Sequence, residues 1–219
     1  SADESQVLLI TQRESIYRRS YKAEFYIYNF VNKSLKKLST NGPQSYATIS
    51  PDGSKVAFTR DNNLFYVNLS DMLEVQVTDD GKFNHIINGS TDWVYEEELS
   101  LTRAFEWSGD SKTLFYLTFD ESGVREYNMQ KWNEGQLYPE DYRFKYPKAG
   151  EDNSKVTATI YNLATKVKKP VDIGTDQEYY IARIIRTQAS TEFSLVRLNR
   201  LQNQVDRLHV STDATVNII

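Results

Sequence analysis

The chain reads as a succession of short runs in which apolar and polar residues alternate, the period of a half-buried β-strand. "QVLLITQ" (6–12), "AEFYIYNF" (23–30) and "SLKKLST" (34–40) come first, with the polar turn "VNKS" between the second and third. "SYATIS" (45–50), "KVAFTR" (55–60), "LFYVNL" (64–69) and "LEVQVT" (73–78) follow, separated by "PDGS", "DNN" and "SDM". Those separators are turn chemistry, because Gly adopts positive φ freely and Asp, Asn and Ser side chains bond the nearby backbone.

The pattern repeats. "SPDGSKVAF" (50–58) and "SGDSKTLFY" (108–116) share Ser, a spacer, Asp, three spacers, an aliphatic residue, a spacer and an aromatic. A third set, "YYIARIIRT" (179–187), "EFSLVRLNR" (192–200) and "QVDRLHVST" (204–212), keeps the strands but lacks that turn. Units of four short strands over roughly 40–45 residues are β-propeller blades, with kelch and WD-type repeats as relatives. The expected fold is therefore all-β, a partial β-propeller of about four blades. An ordinary β-sandwich is the alternative reading of the same runs.

Two segments break the rhythm. Residues 79–102 are expected to lie between blades, and within them "DWVYEEEL" (92–99) reads as a short helix. Asp92 is placed to cap its N-terminus, and acidic residues suit a first helical turn. Residues 120–150, "DESGVREYNMQKWNEGQLYPEDYRFKYPKAG", form a long aromatic excursion inside the third blade, a kind of insertion that commonly carries function.

Composition narrows the picture. Fifteen Tyr and ten Phe against nine Gly and five Pro favour pleated surfaces over loops. With 39% apolar residues the chain of 219 can bury a core, which excludes disorder. The net charge of -4 is spread over interspersed signs, so no basic stripe points to nucleic acid. The absence of Cys excludes disulfides, zinc–thiolate sites and a Cys nucleophile, and leaves the compartment open. No apolar run approaches the ~20 residues of a membrane span. The polar start "SADESQ" shows no signal-peptide core, and the apolar end "STDATVNII" reads as a cut through a longer chain. His85 and His209 sit in loop-like and strand-like settings and read as surface or satisfied histidines. Sequons at Asn32, Asn68 and Asn88 are no more than the Asn and Ser content would give.

"NGSTDWVYEEEL" (88–99), "FDESGVREYNM" (119–129) and "RFKYPKAGEDNSKV" (143–156), in that order, resemble the N-terminal propeller of the dipeptidyl peptidase IV family. The likeness runs from "YRRSYKAEFYIYN" (17–29) to "FSLVRLNRLQN" (193–203). Without eukaryotic-type cysteines the chain looks more like a bacterial member, which implies a periplasmic, envelope or secreted location. Arg125 departs from the family's usual Pro, and the SPDG turn is altered to SGDS at 108–111. The resemblance implies a serine exopeptidase of two parts, an eight-bladed propeller and a C-terminal α/β-hydrolase domain, releasing X-Pro or X-Ala dipeptides from peptide N-termini. Residues 1–219 would be a partial propeller domain, with the hydrolase domain as its partner outside this chain. No G-x-S-x-G elbow occurs here, so the segment alone is expected to be inactive. No cofactor and no metal are implied. The 120–150 arm would pair two subunits in a homodimer, and its Tyr, Phe and Arg residues are types enriched at interfaces.

The glutamate run acquires a use in that frame. An exopeptidase that removes two residues must measure from a free amine, and an ammonium group offers three donors and a full charge to fixed carboxylates. By resemblance Glu97 and Glu98 are the amine anchors and gate access, Glu96 is a neighbour, and Arg18 stands beside them and contacts the substrate carbonyl. Trp93 and Tyr95 would pack the helix on the blade edge. The bland alternatives are an exposed acidic helix turn and a noncatalytic propeller used as a binding or scaffold module. A glycosidase acid/base pair is excluded, since those carboxylates flank a sugar ring from separate elements while Glu97 and Glu98 are adjacent on one backbone.

Overall fold

Alternate side chains of single strands are buried in different cores, and this organises the molecule. The computed structural model describes residues 1–174 and 179–219. Strands β1 (Gln6–Ser15), β2 (Tyr21–Asn29) and β3 (Ser34–Lys37) form a first antiparallel sheet, and β4 (Ser45–Ile49), β5 (Lys55–Arg60), β6 (Asn63–Asn68) and β7 (Leu73–Gln76) form a second in sequential order. On β5 and β6, Val56, Phe58, Phe65 and Val67 pack with Ala23, Phe25 and Leu38 of the first unit. Their neighbours Ala57, Leu64 and Tyr66 pack on the opposite side with Phe105, Trp107, Leu114 and Tyr116 of the third. A strand covered on both faces needs a continuous apolar run, which "KVAFTR" and "LFYVNL" supply.

The third sheet contains β8 (Ile86–Asn88), β9 (Phe105–Trp107), β10 (Thr113–Asp120), β13 (Lys155–Asn162) and β14 (Lys168–Val171). The fourth is β15 (Tyr179–Arg186), β16 (Glu192–Asn199), β17 (Val205–Ser211) and β18 (Val216–Ile218). On β10, Leu114 and Tyr116 face the second sheet. Phe115, Leu117 and Phe119 face Ile181, Phe193, Leu195 and Leu208 of the fourth. Each fully buried Leu or Phe contributes about 1.5–3 kcal/mol, so the seams between sheets carry the stability. The protein is all-β, about four blades of an open propeller with one short helical insertion.

The segment 79–102 does not lie wholly between blades. Its β8 is half of an innermost strand: Asn88 pairs with Thr118, and after the insertion Phe105 pairs with Tyr116 on the same partner strand. The chain leaves at Gly89, whose N–H donates to Leu117 O, and returns at Ala104, whose N–H donates to Gly89 O. Gly89 has φ +76°, and a Cβ there would press on Thr59 and Leu64 at 3.1 and 3.2 Å, so the exit point requires glycine. Asn88 is buried, donating to Asp80 and accepting from Thr118, which makes its sequon a structural feature.

The turn altered in sequence is preserved in geometry. Ser50 donates to Asp52 at 2.6 Å and Asp52 accepts the Ser54 N–H at 3.0 Å. Ser108 donates to Asp110 at 2.6 Å and Asp110 accepts the Lys112 N–H at 3.1 Å. Ser111 takes the left-handed conformation that Gly53 takes in the first copy. Residues 126–145 form a separate hairpin of β11 (Glu126–Lys131) and β12 (Glu140–Lys145) set between β10 and β13. Arg125, at its root, pairs with Glu151 at 3.2 Å.

Candidate functional site

Helix α1 (Trp93–Leu99) has seven residues, too few to be stable alone, so its surroundings must hold it. Asp92 caps it: Oδ1 accepts the Tyr95 N–H at 3.0 Å and Oδ2 accepts the Ser154 hydroxyl at 2.6 Å. Burial raises the Asp92 pKa, and the two hydrogen bonds oppose that rise. At the other end Ser100 turns left-handed and its N–H donates to Tyr95 O. Tyr95 is buried, stacks edge-on against Phe119 at 4.7 Å, and accepts the Ile181 N–H on its hydroxyl at 3.0 Å. Trp93 packs on Tyr146 at 4.3 Å and Phe144 at 6.5 Å, so it rests on the root of the hairpin rather than on a blade edge.

Successive helical residues point about 100° apart, so three adjacent glutamates face three environments. Glu96 is buried; its Oε1 accepts the backbone N–H groups of Arg19 at 2.7 Å and Ser20 at 2.9 Å. Glu97 is partly buried, with Oε2 3.3 Å from Arg18 Nε. Glu98 is exposed and joins no ion pair among the described residues. The Arg18 side chain is 73% exposed, so its pairing with Glu97 contributes little to stability, at most about 1 kcal/mol. The structure thus brings Arg18 and Glu97 into contact, with Glu98 beside them and open to solvent.

Arg18 sits on the β1–β2 loop, closed by Ile16 N–H to Ser20 O at 2.9 Å and Tyr17 N–H to Ser20 Oγ at 3.0 Å. Tyr17 packs on Phe144 at 5.9 Å, so helix, loop and hairpin share one aromatic cluster. Alongside this loop opens a cleft of about 850 Å³ lined by Tyr17, Ser20, Tyr46, Asp92, Glu121 and Tyr142 among others. Glu121 is almost wholly buried there, and desolvation, followed by the nearby Asp92, pushes its pKa up to about 7 against the pull of Lys145. Among the described residues no cluster of His, Asp and Glu has the makings of a metal site. His209 lies apart, 3.5 Å from Glu192.

Sequence reasoning missed the bonds of Glu96 and the burial of Glu121. "EEE" does not say which carboxylate faces inward, and "FDES" reads as a turn. The helical period does not single out Glu96 either, since it stands about 100° from the buried Tyr95 and its donors come from another blade.

Fold and site together define a class: an open run of propeller blades with a glutamate-bearing helix set into one innermost strand, beside an arginine from a preceding blade. Comparison with known proteins makes this specific. The family described as the dipeptidyl peptidase IV (DPP IV) N-terminal region matches residues 1–218, and the chain belongs to it. A crystal structure of Porphyromonas gingivalis dipeptidyl peptidase 4 superposes with a TM-score of 0.94 at 44% identity, covering 100% of this chain and 31% of that one. A putative dipeptidyl aminopeptidase IV from Bacteroides ovatus gives a TM-score of 0.71 at 25% identity over 97% of this chain and 27% of its own. A probable dipeptidyl peptidase 4 of Aspergillus flavus is 32% identical over 96% of this chain and 28% of its own length. The chain thus spans less than a third of the length of these relatives.

Proposed function

We propose that this chain is the substrate-amine-anchoring part of a dipeptidyl peptidase IV-like serine exopeptidase, in which Glu97 and Glu98 hold the free α-amine of a peptide, gate its access, and a C-terminal α/β-hydrolase domain cuts two residues on. X-Pro and X-Ala N-termini are the substrate class. The observation that carries this reading is the Arg18–Glu97 contact with Glu98 exposed beside it, on a helix clamped at both ends. Arg18 partly neutralises Glu97 and keeps most of its guanidinium surface exposed, available to a substrate carbonyl. A charge-assisted bond to an ammonium contributes roughly 1.5–3 kcal/mol. Anchoring the amine fixes which peptide bond meets the nucleophile, an orientation effect on the barrier. The exposed Trp132, Leu137 and Tyr138 at the hairpin tip fit a subunit-pairing role for the arm.

The test uses the full-length protein that carries this chain. Glu97→Ala and Glu98→Ala are each expected to lower kcat/KM for an X-Pro amide by at least about tenfold. Turnover within a few-fold of wild type in both variants would contradict the anchor.

A further inference from the structure

Within the anchor reading, on which this inference rests, Glu96 has no route to substrate: its carboxylate is buried and its Oε1 is spent on two backbone N–H groups of another blade. Those donors belong to Arg19 and Ser20, the residues that follow Arg18. We propose that Glu96 is the positioning residue of the site, fixing the place of Arg18 relative to Glu97 by gripping the β1–β2 loop through its backbone. Peptide planes are rigid, so holding the N–H of Arg19 holds the carbonyl end of Arg18 with it. The Arg18 side chain itself is mostly exposed, and its one ion pair among the described residues, to Glu97, is too little to fix a long, flexible side chain.

Three further features fit a clamp rather than a chance contact. Both donors converge on one oxygen at 2.7 and 2.9 Å, the range of charge-assisted bonds. The loop is closed on itself by two Ser20 bonds, so one grip moves it as a unit. The helix supplying the grip is held by Asp92 and Tyr95, so the clamp is anchored on its other side. The three glutamates thereby divide the work: Glu96 sets the arginine, Glu97 pairs with it through Oε2, and Glu97 and Glu98 together face the ligand.

The experiment is a double-mutant cycle in the full-length protein, reading kcat/KM on an X-Pro amide. Glu96→Ala is expected to lower kcat/KM about tenfold or more, and Glu96→Gln, whose amide oxygen accepts the same two N–H groups, to restore most of the loss. In an Arg18→Ala background Glu96→Ala is expected to change kcat/KM by no more than about twofold, because a residue acting through Arg18 has nothing left to position. An equal fold-loss in both backgrounds would overturn the proposal, even with a native unfolding midpoint. If Glu96→Ala does not fold, the cycle is run with Glu96→Met, which fills the space without an oxygen acceptor, and amide exchange at Arg19 and Ser20 is measured. Faster exchange with a loss that vanishes without Arg18 supports the clamp, and unchanged exchange overturns it. Should Arg18→Ala and Glu98→Ala both leave turnover unaltered, the anchor reading fails and this inference falls with it; losses in those two with an additive cycle sink this inference alone.

Discussion

The hydroxyl of Tyr95 accepts the backbone N–H of Ile181 at 3.0 Å, joining the glutamate helix to the fourth sheet by one buried phenol. Burial raises the pKa of this hydroxyl, which keeps it neutral at any physiological pH. Tyr95→Phe keeps the ring against Phe119 and strands the Ile181 N–H without its partner. The expected cost is about 1–3 kcal/mol, read as a lower midpoint in denaturant unfolding. An unchanged midpoint would mean that water or another acceptor replaces the phenol.

Phe144 stands between Tyr17 of the arginine loop and Trp93 of the glutamate helix, 5.9 and 6.5 Å from their ring centres. The hairpin root is therefore packed against both halves of the candidate anchor. Phe144→Ala is expected to destabilise the protein by about 3 kcal/mol or more and to raise KM for a free-amine substrate severalfold. A stability loss with native KM would show that the arm supports the fold without supporting the site.

Glu121 links stability to pH. Its carboxyl is raised from an ordinary 4.5 to about 7, chiefly by burial. Between those values the folded state holds a proton that the unfolded chain has released, so its contribution to stability is full below about 4.5 and is lost as pH rises to about 7. Glu121→Gln removes the titrating group. The variant is expected to gain on wild type by on the order of 1–3 kcal/mol above neutrality, with the gap closing in acid. Unfolding midpoints followed from pH 4 to 8 check this, and parallel curves would refute it.

Much of this architecture is legible in the sequence because two-faced strands must be written as apolar runs. "KVAFTR" and "LFYVNL" mark β5 and β6, and the Ser-x-Asp turn between β4 and β5 recurs between β9 and β10 of the next blade. The insertion was harder to place. β8 is three residues long and pairs with β10 only after a long detour, a relationship that local periodicity does not encode. The side chains of the candidate site were legible by resemblance, but their division of labour was not. Which glutamate turns inward depends on Tyr95 finding Ile181 and on Arg19 and Ser20 arriving from another blade. Such contacts are non-local by nature.

The most direct measurement is a crystal structure of the full-length protein with an X-Pro dipeptide bound. The account predicts the dipeptide's amino nitrogen at hydrogen-bond distance, about 2.7–3.2 Å, from carboxylate oxygens of both Glu97 and Glu98, with Arg18 still beside Glu97. An amino group held elsewhere, with Glu98 still turned to solvent, would contradict it.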